Sequence, residues 1–279
     1  MREIIDAHVH VWTPDTERYP LAAGYTRENM RPRSFTPEEL FAHCRPEGVR
    51  RVVLIQMSFY GFDNRYMLDS MRRFPGVFSG VAVIDWTAPR PDEEMARLAK
   101  EGVRGFRIRS GDTPAPDWAE TEPLDRMFRT AAERRLAICP LLGPNALPSL
   151  ARMCARHLKT PVVIDHLARI GFDGEIREAD VHALCQMAHF PEVRVKVSAF
   201  YALGKKRPPH AELEPVIRRV HEAFGAKRLM WASDCPFAVQ EERYVDSLAL
   251  VRDRCPWLKP DEREWLLRRT AEDTFFRPE

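Results

Sequence analysis

The sequence has almost no excess of one charge. Its 43 lysines and arginines nearly balance 41 aspartates and glutamates, so the formal net charge is +2. Binding to nucleic acid or to an acidic membrane calls for clustered positive charge. The densest basic run, Lys205-Lys206-Arg207, lies beside two prolines, as is typical of an exposed loop. We therefore expect neither nucleic acid nor a membrane as a partner.

Long apolar segments are also missing. No run approaches the roughly 20 residues that a helix needs to span a bilayer. The first residues enter a strand-like segment without the charged start, apolar stretch and small-residue cleavage site of a signal peptide. We expect a cytoplasmic protein. Its six cysteines form no C-x-x-C pair and are expected to be reduced, mostly buried thiols.

The signals of a nucleotide-binding or multidomain chain are absent too. No G-x-G-x-x-G follows an apolar run, which removes the usual support for a dinucleotide-binding sheet. No linker, low-complexity segment or internal repeat divides the chain. We expect one domain over residues 1–279.

Eight short apolar runs, most of them rich in Val, Ile and Leu, alternate with amphipathic stretches. Runs with little polar alternation are typical of parallel strands buried on both faces. Eight such pairs in about 250 residues predict an α/β fold, a (β/α)8 TIM-type barrel, with an open doubly wound sheet as the alternative. The predicted strands are 4–12, 51–58, 78–85, 103–110, 136–142, 161–168, 193–200 and 228–235. A last helix at 261–276 is expected to pack outside the barrel.

Ionisable residues stand at several predicted strand ends, where barrel enzymes place their chemistry. His8 and His10, two apart at the end of the first strand, point to the same side. His166 ends the sixth strand and Asp234 the eighth. Taken singly, each has an ordinary structural explanation, such as a turn-forming Asp before Pro. Together they predict one functional site, since the first and eighth strands are neighbours in a closed barrel.

The chain resembles the amidohydrolase superfamily, and within it the amidohydrolase-2 group, which holds 2-pyrone-4,6-dicarboxylate lactonase and sugar lactonases. The resemblance spans nearly the whole chain. It is carried, in order, by residues 5–12 (IDAHVHVW), 56–64 (QMSFYGFDN), 102–107 (GVRGFR), 162–166 (VVIDH), 196–198 (KVS) and 230–236 (MWASDCP).

Departures from the superfamily pattern bear on the metal. Members with two metals use a carboxylated Lys or a Glu on the fourth strand and a His on the fifth. This chain has arginines and then Cys139-Pro140 at those places, so a two-metal site is not expected. The resemblance implies either no required cofactor or one divalent metal, zinc first, held by His8, His10 and Asp234. Nearby positive charge slightly favours the metal-free route.

The resemblance also suggests roles in opening a lactone or related carboxylic ester of a small acidic or sugar-derived metabolite. Asp234 is the expected general base, and His8, His10 and His166 polarise the carbonyl. We expect the substrate to be bound by Arg107, Arg169, Ser58, Tyr60, Asn64 and Lys196. Residues 201–204 (YALG) replace an Arg that relatives acting on dicarboxylates can carry, which speaks against a doubly carboxylated substrate.

Two other functions stay open on the sequence. One is a mononuclear metal-dependent decarboxylase or amide hydrolase of the same superfamily, although those families usually carry a His on the fifth strand. The other is a non-catalytic small-molecule binder on a decayed barrel, which the retention of Asp234 and the three histidines disfavours. A homodimer is expected only because it is the commonest oligomer.

Overall fold

A computed structural model describes residues 3–109, 121–240 and 242–277. Eight parallel strands form one sheet in chain order, each hydrogen-bonded to the next. Each overlaps a strand predicted from the sequence, and the predicted TIM-type barrel is confirmed. The strands are β1 Ile4–Val9, β2 Val49–Ile55, β3 Phe78–Ala82, β4 Val103–Arg109, β5 Ala137–Leu141, β6 Val162–Ile164, β7 Val193–Val197 and β8 Leu229–Trp231.

Helices follow the strands and cover the outside of the sheet. Their starts obey local rules: the Thr36 hydroxyl accepts from the Glu39 N–H, the Glu39 carboxylate accepts from the Thr36 N–H, and Pro37 opens the first turn. The described helices are α1 Pro37–Cys44, α2 Arg65–Arg73, α3 Pro91–Ala99, α4 Glu122–Arg134, α5 Leu147–Arg156, α6 Glu178–Gln186, α7 Glu214–Phe224, α8 Tyr244–Asp253, α9 Pro260–Glu264 and α10 Thr270–Phe275. Among the described residues, no helix is both long enough and apolar enough to cross a bilayer.

The barrel closes where β1 meets the chain after β8. The Asp234 N–H donates to the His8 carbonyl at 2.9 Å, and the His10 N–H donates to the Cys235 carbonyl at 2.7 Å. Below this seam, the buried Asp6 carboxylate accepts from the hydroxyls of Ser233 at 2.5 Å and Tyr244 at 2.7 Å. Burial raises the pKa of Asp6 to about 6 despite these hydrogen bonds. One side chain thereby joins β1, the segment after β8 and helix α8.

The hydrophobic core has two parts, one inside the barrel and one between the barrel and its helices. The strands contribute mostly small and branched side chains to the inner part, which allows the sheet to close into a narrow barrel. It consists of Ile5, Ala7, Val53, Ile55, Val81, Ala137, Cys139, Val163, Met230, Ala232, Ala271 and Phe275.

Two of these inner residues, Ala271 and Phe275, come from the C-terminal helix and correct the prediction for its position. The expectation that residues 261–276 pack wholly outside the barrel was wrong, because Ala271 and Phe275 of α10 belong to the inner cluster. Phe275 is 1% exposed, and its ring centroid lies 5.6 Å from Nζ of Lys196 on β7. The small inward residues of the strands leave room that an aromatic ring from α10 fills. Helix α10 therefore contributes two side chains to the barrel interior, while Leu266 and Leu267, earlier in the segment, pack in the outer core.

We predict that Phe275→Ala lowers the free energy of unfolding by about 3–5 kcal/mol, because it removes a fully buried ring that no neighbour can replace. Urea unfolding followed by circular dichroism measures the change. Leu158→Ala is the control, since Leu158 is 57% exposed and its truncation is expected to cost under about 0.5 kcal/mol. Similar losses in both variants would show that Phe275 does not fill the barrel interior.

Candidate active site

The four predicted catalytic residues meet at the carboxyl-terminal mouth of the barrel. His8 Nε2 and His10 Nε2 are 3.3 Å apart, and Oδ1 of Asp234 lies 3.5 Å from the first and 3.4 Å from the second. His166 Nε2 lies 3.9 Å from Oδ2 of the same carboxylate. All four side chains are buried or nearly so. The structure thus brings this predicted set into one cluster.

A shift in the register of β1 makes the side chains of both His8 and His10 point into the mouth of the barrel. Ile5 and Ala7 line the barrel interior, whereas Val9 packs in the outer core. The pairing of β1 with β2 is irregular between Asp6 and Val9, which is the effect of a bulge. Strict alternation from Ala7 would turn His8 outward. The irregularity instead lets His8 follow Ala7 on the inner side, with His10 two residues further.

Left-handed backbone turns carry the other functional side chains. Four consecutive residues, His166 to Arg169, have φ between 50° and 57°, and Asp234 has φ 64°. Non-glycine residues adopt this conformation at a cost of about 1–2 kcal/mol each. Such strain is typical of functional sites. The turn after β6 places both His166 and Arg169 against the cavity at the barrel mouth.

Hydrogen bonds orient the imidazoles. Nδ1 of His10 donates to the Ile55 carbonyl at 2.9 Å, and this bond directs its Nε2 toward Oδ1 of Asp234, 3.4 Å away. Nδ1 of His8 lies 3.1 Å from Nζ of Lys196 and 3.3 Å from Oδ1 of Asp165. If Nδ1 of His8 donates to Asp165, the neutral ring has Nε2 as an acceptor. If Nδ1 instead accepts from Lys196, the proton of the neutral ring is on Nε2.

Beneath the histidines lies a buried cluster of charges around Asp165. Its carboxylate is 3.0 Å from Nζ of Lys196 and 3.4 Å from the guanidinium of Arg107. Burial alone would raise the pKa of Asp165, but the cations Lys196 and Arg107 outweigh it and hold the pKa well below its usual range. Burial and the neighbouring Lys196 likewise hold the pKa of His8 well below its usual range. Asp165 therefore stays ionised under a neutral His8.

Asp165 is a site residue that the sequence analysis did not assign. Its only signal was its position immediately before His166 at a strand end. Tyr201 is a second one: its hydroxyl donates to Oδ2 of Asp234 at 2.7 Å. It lies in the turn after β7. The sequence analysis noted there only that residues 201–204 replace an Arg that some relatives carry. Neither partner could be identified without the packing of β6, β7 and β8 side by side.

Asp234 is held ionised with one oxygen available. Burial would raise the pKa of Asp234, but the surrounding imidazoles of His166, His10 and His8 hold the pKa below its usual range. Tyr201 takes Oδ2, while the buried Oδ1 has no hydrogen-bond partner among the described residues. An orphaned buried carboxylate oxygen points to a water, a metal ion or a substrate at this place.

The donor set also fits a single metal ion. A tetrahedral zinc with ligand distances of about 2.0–2.2 Å separates its ligand atoms by about 3.3–3.6 Å. The triangle of His8 Nε2, His10 Nε2 and Asp234 Oδ1 has sides of 3.3, 3.4 and 3.5 Å. These three residues form one of two groups of potential ligand atoms in the described ranges, the other being His8, Asp165 and His166. The second group includes Asp165, which is already paired with Lys196.

The cluster lies against a cavity of about 350 Å³. Of the predicted substrate-binding residues, Ser58, Arg107 and Arg169 line it. The structure places the other three elsewhere. Lys196 is fully buried under His8, the Tyr60 hydroxyl lies 3.3 Å from the Thr13 N–H, and the Asn64 amide bonds the backbone of Val83 and Phe62. The sequence also predicts that the loop 109–118 shapes the pocket; apart from Arg109, these residues lie outside the part of the chain that the structure describes.

Comparison with known proteins places this chain in a family. The amidohydrolase family model matches residues 5–277, which is almost the whole chain. An L-fucono-1,5-lactonase of Burkholderia ambifaria is 30% identical over 264 residues, covering 93% of this chain and 90% of the relative. A 2-pyrone-4,6-dicarboxylate hydrolase of Comamonas testosteroni is 27% identical over 266 residues, covering 92% and 84%.

Solved structures agree on the fold. The crystal structure of an amidohydrolase from Burkholderia multivorans with bound zinc superposes with a TM-score of 0.85 at 23% identity. The match covers 99% of this chain and all of the other.

We predict that Lys196→Met destabilises the fold by roughly 3–5 kcal/mol, because it leaves the buried Asp165 carboxylate short of its nearest cation. Urea unfolding of purified variants measures the loss, with the exposed Lys205→Met as the matched control. If Lys196→Met were as stable as the parent but had a raised KM, Lys196 would bind substrate directly, as the sequence analysis expected.

Proposed function

The chain belongs to the amidohydrolase family, and on that premise we propose that it hydrolyses a lactone or related carboxylic ester of a small acidic or sugar-derived metabolite. The observation that carries the proposal is the Asp234 carboxylate, ionised and buried among three histidines beside the cavity, whose Oδ1 has no hydrogen-bond partner among the described residues. Two relatives with lactonase or pyrone hydrolase names, similar over about nine-tenths of this chain, support the same reaction class.

Asp234 is the proposed general base. It takes a proton from a water molecule, whose oxygen attacks the lactone carbonyl. As the ring C–O bond breaks, Asp234 returns that proton to the departing ring oxygen, so no other proton donor is needed. The hydrogen bond from Tyr201 fixes the carboxylate plane and leaves Oδ1 toward the histidines.

Negative charge that develops on the carbonyl oxygen needs donors in a site that excludes water. His8, His10 and His166 surround the place where that oxygen would lie, and their burial strengthens each interaction. A divalent cation such as zinc, held by His8, His10 and Asp234, would polarise the carbonyl and ease ionisation of water. The Asp165–Lys196 pair beneath His8 holds its ring in place.

The substrate is proposed to be held by Arg107 and Arg169 through a carboxylate, and by Ser58 through a neutral hydrogen bond. Arg107 is oriented from behind by Asp165 at 3.4 Å. The aromatic ring of Phe172 lies 3.9 Å from the Arg169 guanidinium carbon and supports it.

We predict that Asp234→Asn lowers kcat by about 10²–10⁴, because an amide cannot accept the proton of water. Arg107→Ala is expected to raise KM with a smaller effect on kcat. Steady-state kinetics on a panel of lactones, with circular dichroism to verify folding, separates the two effects. Equal, mild losses in both variants would favour a non-catalytic binder, and release of CO₂ without ring opening would favour a decarboxylase.

We predict that zinc raises the melting temperature of the chelator-treated protein, because the ion binds only the folded donor set. At a hundredfold excess over Kd the stabilisation is about 2.7 kcal/mol. His10→Asn should abolish the shift, and the exposed His43→Asn should preserve it. Elemental analysis of the untreated protein accompanies the titration. An unchanged melting temperature with undiminished hydrolysis would establish the metal-free route.

A further inference from the structure

A polar cavity of about 270 Å³ lies at the amino-terminal ends of the strands, at the opposite end of the barrel from the catalytic cluster. Residues just before β5 and β6, the start of β7 and the end of helix α10 line it. The charged side chains of this lining are those of Arg135, Lys159, Glu192, Arg194, Asp273 and Arg277. Four cations face two carboxylates, so the cavity has an excess of two positive charges.

Arg194 connects this cavity with the barrel interior. It precedes Lys196 by two residues on β7, so both side chains point to the inner side of the sheet. Its register partner on β6 is Val163, which belongs to the inner core. The Arg194 guanidinium lies 3.3 Å from the Glu192 carboxylate, and its side chain is only 16% exposed. A partly buried guanidinium therefore forms one wall of the cavity at the amino-terminal opening of the barrel.

The other three cations of the lining differ from a purely structural cation. Within the described residues, no hydrogen bond or ion pair joins their side chains to a carboxylate; they are Arg135, Lys159 and Arg277. Arg51, near the same end of the barrel, shows the contrast. Its guanidinium pairs with Glu3 at 2.9 Å and with Glu272 at 2.6 Å. A cation whose role is to stabilise the barrel is expected to be paired as Arg51 is.

Like charges crowd the Arg277 guanidinium. Burial, and after it the guanidinium groups of Arg135 and Arg194, lower the pKa of Arg277, although Asp273 and Glu192 act in the opposite direction. Charges of one sign held together in a concave site attract an ion of the other sign. Several separate donors around one cavity suit a tetrahedral oxyanion, because each of its oxygens can accept from a different side chain.

We propose that this cavity binds a phosphate group, either free phosphate or the phosphate of a small metabolite. The two excess positive charges of the lining match the charge of the dianion. Arg277 lies two residues after Phe275, whose ring fills the barrel interior, so the anion holds the end of that helix in place. The site is separate from the catalytic cluster, and the proposal does not depend on which reaction occurs there.

Isothermal titration calorimetry and the melting temperature measure the binding, at an ionic strength held constant with sodium chloride. Inorganic phosphate and glycerol 3-phosphate are the two probes, and the tighter of them shows whether free phosphate or a phosphate ester is preferred. At a tenfold excess over Kd the melting temperature is expected to rise by about 3–5 °C, because only the folded chain holds the cations together. Failure of both probes to bind would overturn the proposal.

Two variants locate the bound anion. Arg277→Gln and Lys159→Gln are each expected to weaken phosphate binding by about tenfold, since each removes one charge-assisted contact. Circular dichroism verifies that both variants fold. Lys100→Gln is the matched control, because Lys100 is exposed and lies outside the cavity lining. Unchanged affinity in both Arg277→Gln and Lys159→Gln would overturn the proposal.

The arginines of the active-site cavity could also attract phosphate, so a further variant separates the two ends of the barrel. Arg107→Ala removes a cation from the active-site cavity and leaves the amino-terminal cavity intact. It is expected to bind phosphate as tightly as the parent does. Loss of phosphate binding in Arg107→Ala would place the anion at the catalytic end and overturn the proposal.

Discussion

The seam between β1 and the segment after β8 is the constraint on which the rest of the site depends. Two short backbone hydrogen bonds join the strand that carries His8 and His10 to the turn that carries Asp234. The Asp6 carboxylate ties the same two segments together from the outer side through Ser233 and Tyr244. Since the seam also closes the barrel, the same contacts bring His8 and His10 against Asp234.

Electrostatics set the second constraint. Two carboxylates, Asp165 and Asp234, are buried within one barrel mouth, and each is kept ionised by a different set of neighbours. Asp165 is paired with Lys196 and Arg107 and lies beneath His8, so its carboxylate is engaged by protein cations. Asp234 is surrounded by imidazoles, and within the described part of the chain its Oδ1 has no hydrogen-bond partner. The same residue type is thus a buried ion-pair partner at one strand end and the proposed general base at another.

Much of the fold could be predicted because its periodicity is local. Runs of branched apolar residues separated by capped amphipathic segments specify eight strand–helix pairs, and the ends of the strands indicated His8, His10, His166 and Asp234. Two residues whose positions differ from the prediction, Phe275 and Lys196, are placed by packing between distant segments. The inward position of Phe275 needs the space left by small residues on distant strands. The sequence analysis placed Lys196 in contact with substrate, whereas the structure places it under His8, because depth along a strand cannot be read from spacing.

The order of residues along the chain determined the barrel, the strand ends that carry chemistry and the family, since each depends on short-range pattern and motif. Only the tertiary structure decided which side chains meet. The pairing of Asp165 with Lys196 and the bond from Tyr201 to Asp234 join residues at the ends of β6, β7 and β8. Contacts between strands depend on the angle and depth at which each strand enters the barrel. Those quantities are fixed by the closure of the whole sheet and are not encoded in any one segment.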